Sequence, residues 1–172
     1  MSKMEPIEVD PPLREIHAQA VSAFNGWRGY CVDRFARIEH ASALLLAALA
    51  KNGTMGDIKQ PRMFSQRIEH LRKAMDGDGP FPPLRAKLGK SLLALALAIE
   101  QRNRIVHAVG TISVDTRGQW IWTLSFSPNG KIEEVEKGWL RQADGKTLHN
   151  QLKCEVDRFS GLAENLRHSL AA

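Results

Sequence analysis

Cysteine is scarce in this sequence. Of 172 residues only Cys31 and Cys154 are cysteines, far apart and in no C-x-x-C pair. That pattern reads as two reduced thiols in a reducing compartment rather than a disulfide framework. Long apolar runs are missing too. The longest, 41–50 and 92–99, fall well short of the roughly 20 residues a membrane-spanning helix needs. The first twelve residues carry Glu5, Glu8 and Asp10 and have no apolar core, so no secretory signal is visible. The expectation is a cytoplasmic chain with no membrane partner. None of G-x-x-x-x-G-K-[ST], G-x-G-x-x-G or G-x-S-x-G occurs, which argues against an ATPase, a dinucleotide enzyme or an α/β-hydrolase. His17, His40, His70, His149 and His168 show neither H-x-x-x-H nor H-E-x-x-H spacing, so no metal and no cofactor are expected.

What remains is an ordinary globular composition, 43% hydrophobic and 25% charged. Lys and Arg number 24 against 19 Asp and Glu, a net +5. This mild basicity permits a phosphate-bearing partner without demanding one. The length suits one domain, taken as 10–172 behind a disordered lead-in at 1–9.

Hydrophobic periodicity lays out the elements. Asp10-Pro11-Pro12 reads as a helix start. A helical pattern then runs to about Lys51, with Val32, Phe35, Ile38, Ala41/Ser42, Leu45/Leu46 and Leu49 recurring at three and four. Asn25-Gly26 breaks this run or kinks it, and Asn52-Gly53 ends it as a glycine cap. A second helix, from Phe64 to Met75, places Phe64, Ile68, Leu71 and Met75 on one face. A third follows the 76–80 turn, from about Leu84 to about Ala108, with a stripe of Leu88, Leu92, Leu95, Ile99 and Val106.

The period then falls to two at 111–114 and 120–126, and 131–137 is a candidate third strand. A last helix is expected from about Thr147 to Ser169. The fold class is therefore mainly α, a helical bundle with a small antiparallel β-meander (about 111–137) inserted before the last helix. Trp120, Trp122, Leu124 and Phe126 share one strand face. Such a stripe is expected to pack the sheet on its helices rather than to stack bases.

One stretch contradicts its surroundings. Arg102-Asn103-Arg104-Ile105-Val106-His107 closes the apolar third helix. At about 100° per residue, Arg102 falls inside the apolar stripe, about 40° from Val106. Asn103 and His107, four apart, share one edge of it, and Arg104 points to the polar side. A guanidinium on a core stripe needs a carboxylate, carbonyl or phosphate partner. Glu39 and Glu69 are the carboxylate candidates, although a solvated helix face is the preferred reading of both. His107 lies in the last helical turn, close to the free carbonyls of the helix end. A histidine beside an arginine and an amide can move a proton and hold a phosphoryl oxyanion. Cleavage of RNA by its own 2′-hydroxyl requires those two capacities and no metal.

This hexapeptide resembles the R-x4–6-H motif of the HEPN superfamily, including the asparagine that often follows the arginine. The long first helix, with Phe35, Ile38 and Glu39 before an apolar run, is also similar. The resemblance covers about 10–108 and the last helix, and leaves the meander unexplained. It implies a HEPN-like bundle forming a symmetric homodimer through the helix that carries the motif, and a metal-independent endoribonuclease acting on RNA. Arg102 would then polarise the phosphate, His107 would be the acid/base or transition-state donor, and Asn103 would orient one of them. Arg104 is a further candidate RNA contact. A toxin or defence effector with an antitoxin partner is among the implied roles. The tyrosine that follows the histidine by two residues in family toxins controlled by nucleotidylation is here Val109, so that control is not supported. The alternative is a non-catalytic HEPN-like binding or scaffolding module for a nucleotide, RNA or protein. A third expectation is an adaptor contacting partners through the meander, which exposed Trp120 and Trp122 would favour.

Overall fold

A computed structural model describes residues 11–53, 61, 63–127 and 136–172. Its elements are α1 (Pro11–Lys51), α2 (Phe64–Asp76), α3 (Pro82–His107), β1 (Val109–Val114), β2 (Trp120–Phe126), β3 (Glu136–Arg141) and α4 (Gln142–Ala171). The architecture is mainly α with a three-stranded antiparallel sheet before the last helix, as the periodicities indicate. No helix among the described residues is long and apolar enough to cross a membrane. Two compact units are distinguished, one drawn from Met1–Gly29 and Ala108–Thr147, the other from Tyr30–His107 and Leu148–Ala172.

The first unit is built on the meander, in strand order β1-β2-β3. In register, Ile112 pairs with Trp122 and Trp122 with Leu140. Strand alternation turns Trp120 and Trp122 to one face, where both are 2% exposed. They meet Phe24 of α1 at centroid distances of 5.3 and 5.1 Å, and Trp120 also meets Trp27 at 5.3 Å. The Trp27 indole donates to the Gly145 carbonyl at 2.8 Å, so this buried aromatic cluster satisfies one of its polar atoms. The tryptophan stripe therefore packs the sheet on a helix, as expected. Gly110 is required here, because a β-carbon would stand 2.6 Å from Trp122 Nε1 and would collide with the Thr123 carbonyl.

Two element boundaries, one of a strand and one of a helix, differ from the sequence reading. The third strand, Glu136–Arg141, continues four residues past the expected end at 137; the 131–135 part of that expectation lies outside the described residues. Helix α4 begins at Gln142 rather than near Thr147, because the Gln142 side chain accepts from the Trp120 amide and carries the chain directly out of β3. The 115–118 turn is as expected, with Gly118 at φ +75° and Asp115 accepting from the Arg117 and Gln119 amides.

The second unit is helical. The α2 face is Phe64, Ile68, Leu71 and Met75, all buried. From α4 come Leu152, Val156, Phe159, Ala163 and Leu166, and from α3 come Leu88, Leu92, Leu95 and Ile105. In this unit's part of α1 the inner position is Cys31, 0% exposed, rather than Val32, which is 42% exposed. The two positions differ by about 100° of helix, and the small thiol takes the inner one. Helix α1 is unbroken at Asn25-Gly26. It ends at Gly53, φ +75°, whose amide reaches the Ala50 carbonyl at 3.1 Å. Arg85 is 4% exposed and donates to the Gly77 carbonyl at 2.7 Å and to Ala74, so it caps α2 from within.

Candidate functional site

The end of α3 positions the motif. Three turns of Leu88, Leu92 and Leu95 fix the inner face, and the same stripe continues through Arg102 to Ile105, which is 3% exposed. Val106 lies at the margin and Ile105 carries the core contact, one residue earlier than the sequence stripe placed it. The Arg102 side chain is 26% exposed, so it is half-buried on the apolar side, where periodicity put it.

Its carboxylate is Glu39. Arg102 Nη2 lies 3.2 Å from Glu39 Oε1, and the glutamate side chain is 27% exposed. This corrects the preferred reading of Glu39 as a solvated helix face. Glu69, the other candidate, instead pairs with Arg72 at 3.0 Å and Lys73 at 3.6 Å on its own helix. Glu39 lies one residue past the buried Ile38, at the margin of the α1 stripe, where a 27% exposed carboxylate keeps some water and still reaches Arg102 of α3. The Glu39 carbonyl is also occupied. Ser42 Oγ donates to it at 2.8 Å and Arg67 Nη1 of α2 at 3.1 Å. One residue of α1 thus receives arginines from both α2 and α3.

Arg102 Nη1 donates to Asn103 Oδ1 at 3.1 Å and stands 3.5 Å from His107 Nε2. An arginine can only donate, so a bond across the longer gap requires an unprotonated Nε2. His107 itself is exposed. Arg102 Nε is buried without a hydrogen-bond partner. The structure therefore brings Arg102, Asn103 and His107 together and adds Glu39. Arg104 stands apart on the exposed side, paired with Glu100 at 3.1 Å. The geometry provides a guanidinium fixed by a carboxylate and an amide, next to an accessible imidazole. That set can hold an anion and exchange a proton beside it.

One contributor has no signal in the sequence and a second is only a candidate there. Arg67 gave no local signal, because its partner is a backbone carbonyl 28 residues away. Glu39 was visible as a candidate, but only the helix packing selects it. A groove between α1 and α4 of about 400 Å³ is lined by Arg34, Arg37, His40, Asp157, Glu164 and Arg167 among others, and includes none of the motif residues. Its arginines are already matched: Arg34 with Asp157, Arg37 with Asp33 and Arg167 with Glu164. Comparison with protein-family models, curated proteins and solved structures found no match.

Proposed function

We propose that the chain is a metal-independent endoribonuclease of the HEPN type. The observation that carries this reading is the Arg102 guanidinium, clamped by Glu39 and Asn103, with its Nη1 3.5 Å from the exposed His107 ring. In the reaction a ribose 2′-oxygen attacks the adjacent phosphorus and the 5′-oxygen leaves. The products are a 2′,3′-cyclic phosphate and a 5′-hydroxyl. The 2′-hydroxyl proton must go to a base, and the leaving oxygen must receive a proton from an acid. Arg102 binds the phosphate and offsets charge on its oxygens, and Asn103 holds Arg102 in place. One His107 can serve one proton-transfer role. A homodimer through α3 would supply the second from the other copy, with both motifs in one cleft. A toxin or defence effector with an antitoxin partner fits such an enzyme.

The test is cleavage of several RNAs in EDTA by the wild type and by His107→Ala. Wild-type activity lost in the variant supports the proposal; equal activity in both, or none in the wild type, ends it. The Glu39–Arg102 pair itself favours a second reading, a non-catalytic binding or scaffolding module in which that pair ties α3 to α1. In that case Arg102→Ala lowers stability by more than about 1 kcal/mol and no RNA is cut.

A further inference from the structure

The sheet has a second face, and it is the exposed one. Strand alternation directs Val109, Thr111 and Ser113 of β1, Ile121, Thr123 and Ser125 of β2, and Lys137, Trp139 and Arg141 of β3 away from the tryptophan core. All except the partly covered Ile121 are exposed. Trp139 is 63% exposed, whereas Trp27, Trp120 and Trp122 are 8%, 2% and 2%. It lies in register with Thr123, which pairs in turn with Thr111. Lys137 and Arg141 flank it two residues away on either side, about 6.5–7 Å along the strand. The Arg141 guanidinium stands 5.0 Å from the indole centroid, and the ring keeps its exposure with that cation beside it. These nine strand positions include two cations and no acid.

We propose that this outer face binds single-stranded RNA. A base stacks on Trp139, and Lys137 and Arg141 take the phosphates on either side of it. Stacking on an aromatic platform beside cations is how sheet surfaces hold unpaired bases. The surrounding Thr111, Ser113, Thr123 and Ser125 supply hydroxyls that can both donate to and accept from the ribose 2′-hydroxyl. A protein partner fits less well. One large apolar side chain among hydroxyls and cations falls short of the apolar core that a protein interface buries. The inference rests on this face alone and not on Arg102 or His107, so it and the nuclease proposal fail separately.

The experiment titrates the full-length His107→Ala protein, which leaves the strand uncut under the nuclease reading, into a 5′-fluorescein-labelled 12-nucleotide oligo(U), reading Kd from the anisotropy of the label and following tryptophan fluorescence alongside in the parent. The expected results are quenching of the exposed Trp139, a Kd raised at least about fivefold by Trp139→Ala, and near-parental affinity in Trp139→Phe. Lys137→Ala with Arg141→Ala should flatten the dependence of log K on log salt by about 1.4, two phosphate contacts at about 0.7 each. Trp139 is exposed, so its variants should melt with the parent. No binding by the parent, unchanged affinity in Trp139→Ala, or equal affinity for oligo(dT) would overturn the assignment.

Discussion

Glu39 and Arg102, 63 residues apart in the chain, meet at 3.2 Å through Oε1 and Nη2. Both side chains are about a quarter exposed, so water screens the pair but does not dissolve it. A double-mutant cycle on Glu39→Ala and Arg102→Ala should return a coupling of about 0.5–1 kcal/mol by denaturant unfolding. A coupling near zero would show that the two side chains are not partners in solution. Added salt should shrink the coupling, since part of it is exposed Coulomb energy.

Periodicity located the helices because each buries one continuous stripe. Phe64, Ile68, Leu71 and Met75 needed no correction, and neither did the β2 tryptophans. It failed where two neighbouring positions compete for the core. Cys31 and Val32 differ by one residue, and so do Ile105 and Val106; hydrophobicity favours the valine in the first case and does not separate the pair in the second. At the site, the placement of Arg102 on the inner face and of Arg104 off it was legible, because both follow from 3.6 residues per turn. The choice of Glu39 over Glu69 as its partner was not, since long-range pairing is decided by how helices pack. Trp139 is a different case: the expected third strand ends at 137 and the expected last helix starts near 147, so Trp139 and Arg141 fall in neither and the alternation Lys137, Trp139, Arg141 stays hidden.

The thiols should separate cleanly. Burial pushes Cys31 up to about 11, so at neutral pH it stays a protonated, inaccessible thiol. Cys154 is exposed, and both are free. Titration of the native protein with a chromogenic disulfide reagent at pH 8 should count one fast thiol, and in denaturant two. Cys154→Ser should abolish the fast reaction. Two fast thiols in the native protein would mean that the α1 stripe does not close over Cys31.

His107 contributes chemistry rather than stability in the proposed reading. It is exposed, and its contact with Arg102 is long at 3.5 Å. His107→Ala should therefore unfold within about 0.5 kcal/mol of the wild type. Asn103→Ala removes a 3.1 Å acceptor from Arg102 and should cut any RNA cleavage more than it cuts stability. Loss of fold in His107→Ala would make its loss of cleavage uninformative, so the melt is measured alongside.

The Asp115 turn gives a pH dependence with a definite sign. The Gln119 amide, above all, holds the Asp115 carboxyl below the usual carboxylate range; the Arg117 amide and guanidinium act the same way, and desolvation opposes them. A group depressed in the folded state stabilises fully above its unfolded value, and loses that contribution as pH falls through the folded one. Carboxyl NMR should place the Asp115 midpoint below that of an unstructured peptide. Asp115→Ala should remove that part of the acid sensitivity of the hairpin. A midpoint at or above the peptide value would contradict the turn geometry.

Two helical glycines should respond to alanine with opposite signs. In a helix interior, glycine to alanine ordinarily stabilises by about 0.5–1 kcal/mol, by limiting the unfolded chain. At Gly26 a β-carbon meets nothing within 4 Å, so Gly26→Ala should show that gain. At Gly145 the same atom would stand 2.7 Å from Trp120 Cη2 and 3.2 Å from Trp27 Nε1. Neither ring can yield freely: Trp120 is wedged against Phe24 and Trp27, and Trp27 is tied to the Gly145 carbonyl. Gly145→Ala should therefore cost about 1–3 kcal/mol despite its better helix propensity. Near-UV circular dichroism should change with it, because the tryptophan cluster must shift. Equal and favourable effects at both sites would mean that Trp120 does not press on the first turn of α4, and the packing described for the meander core would have to be abandoned.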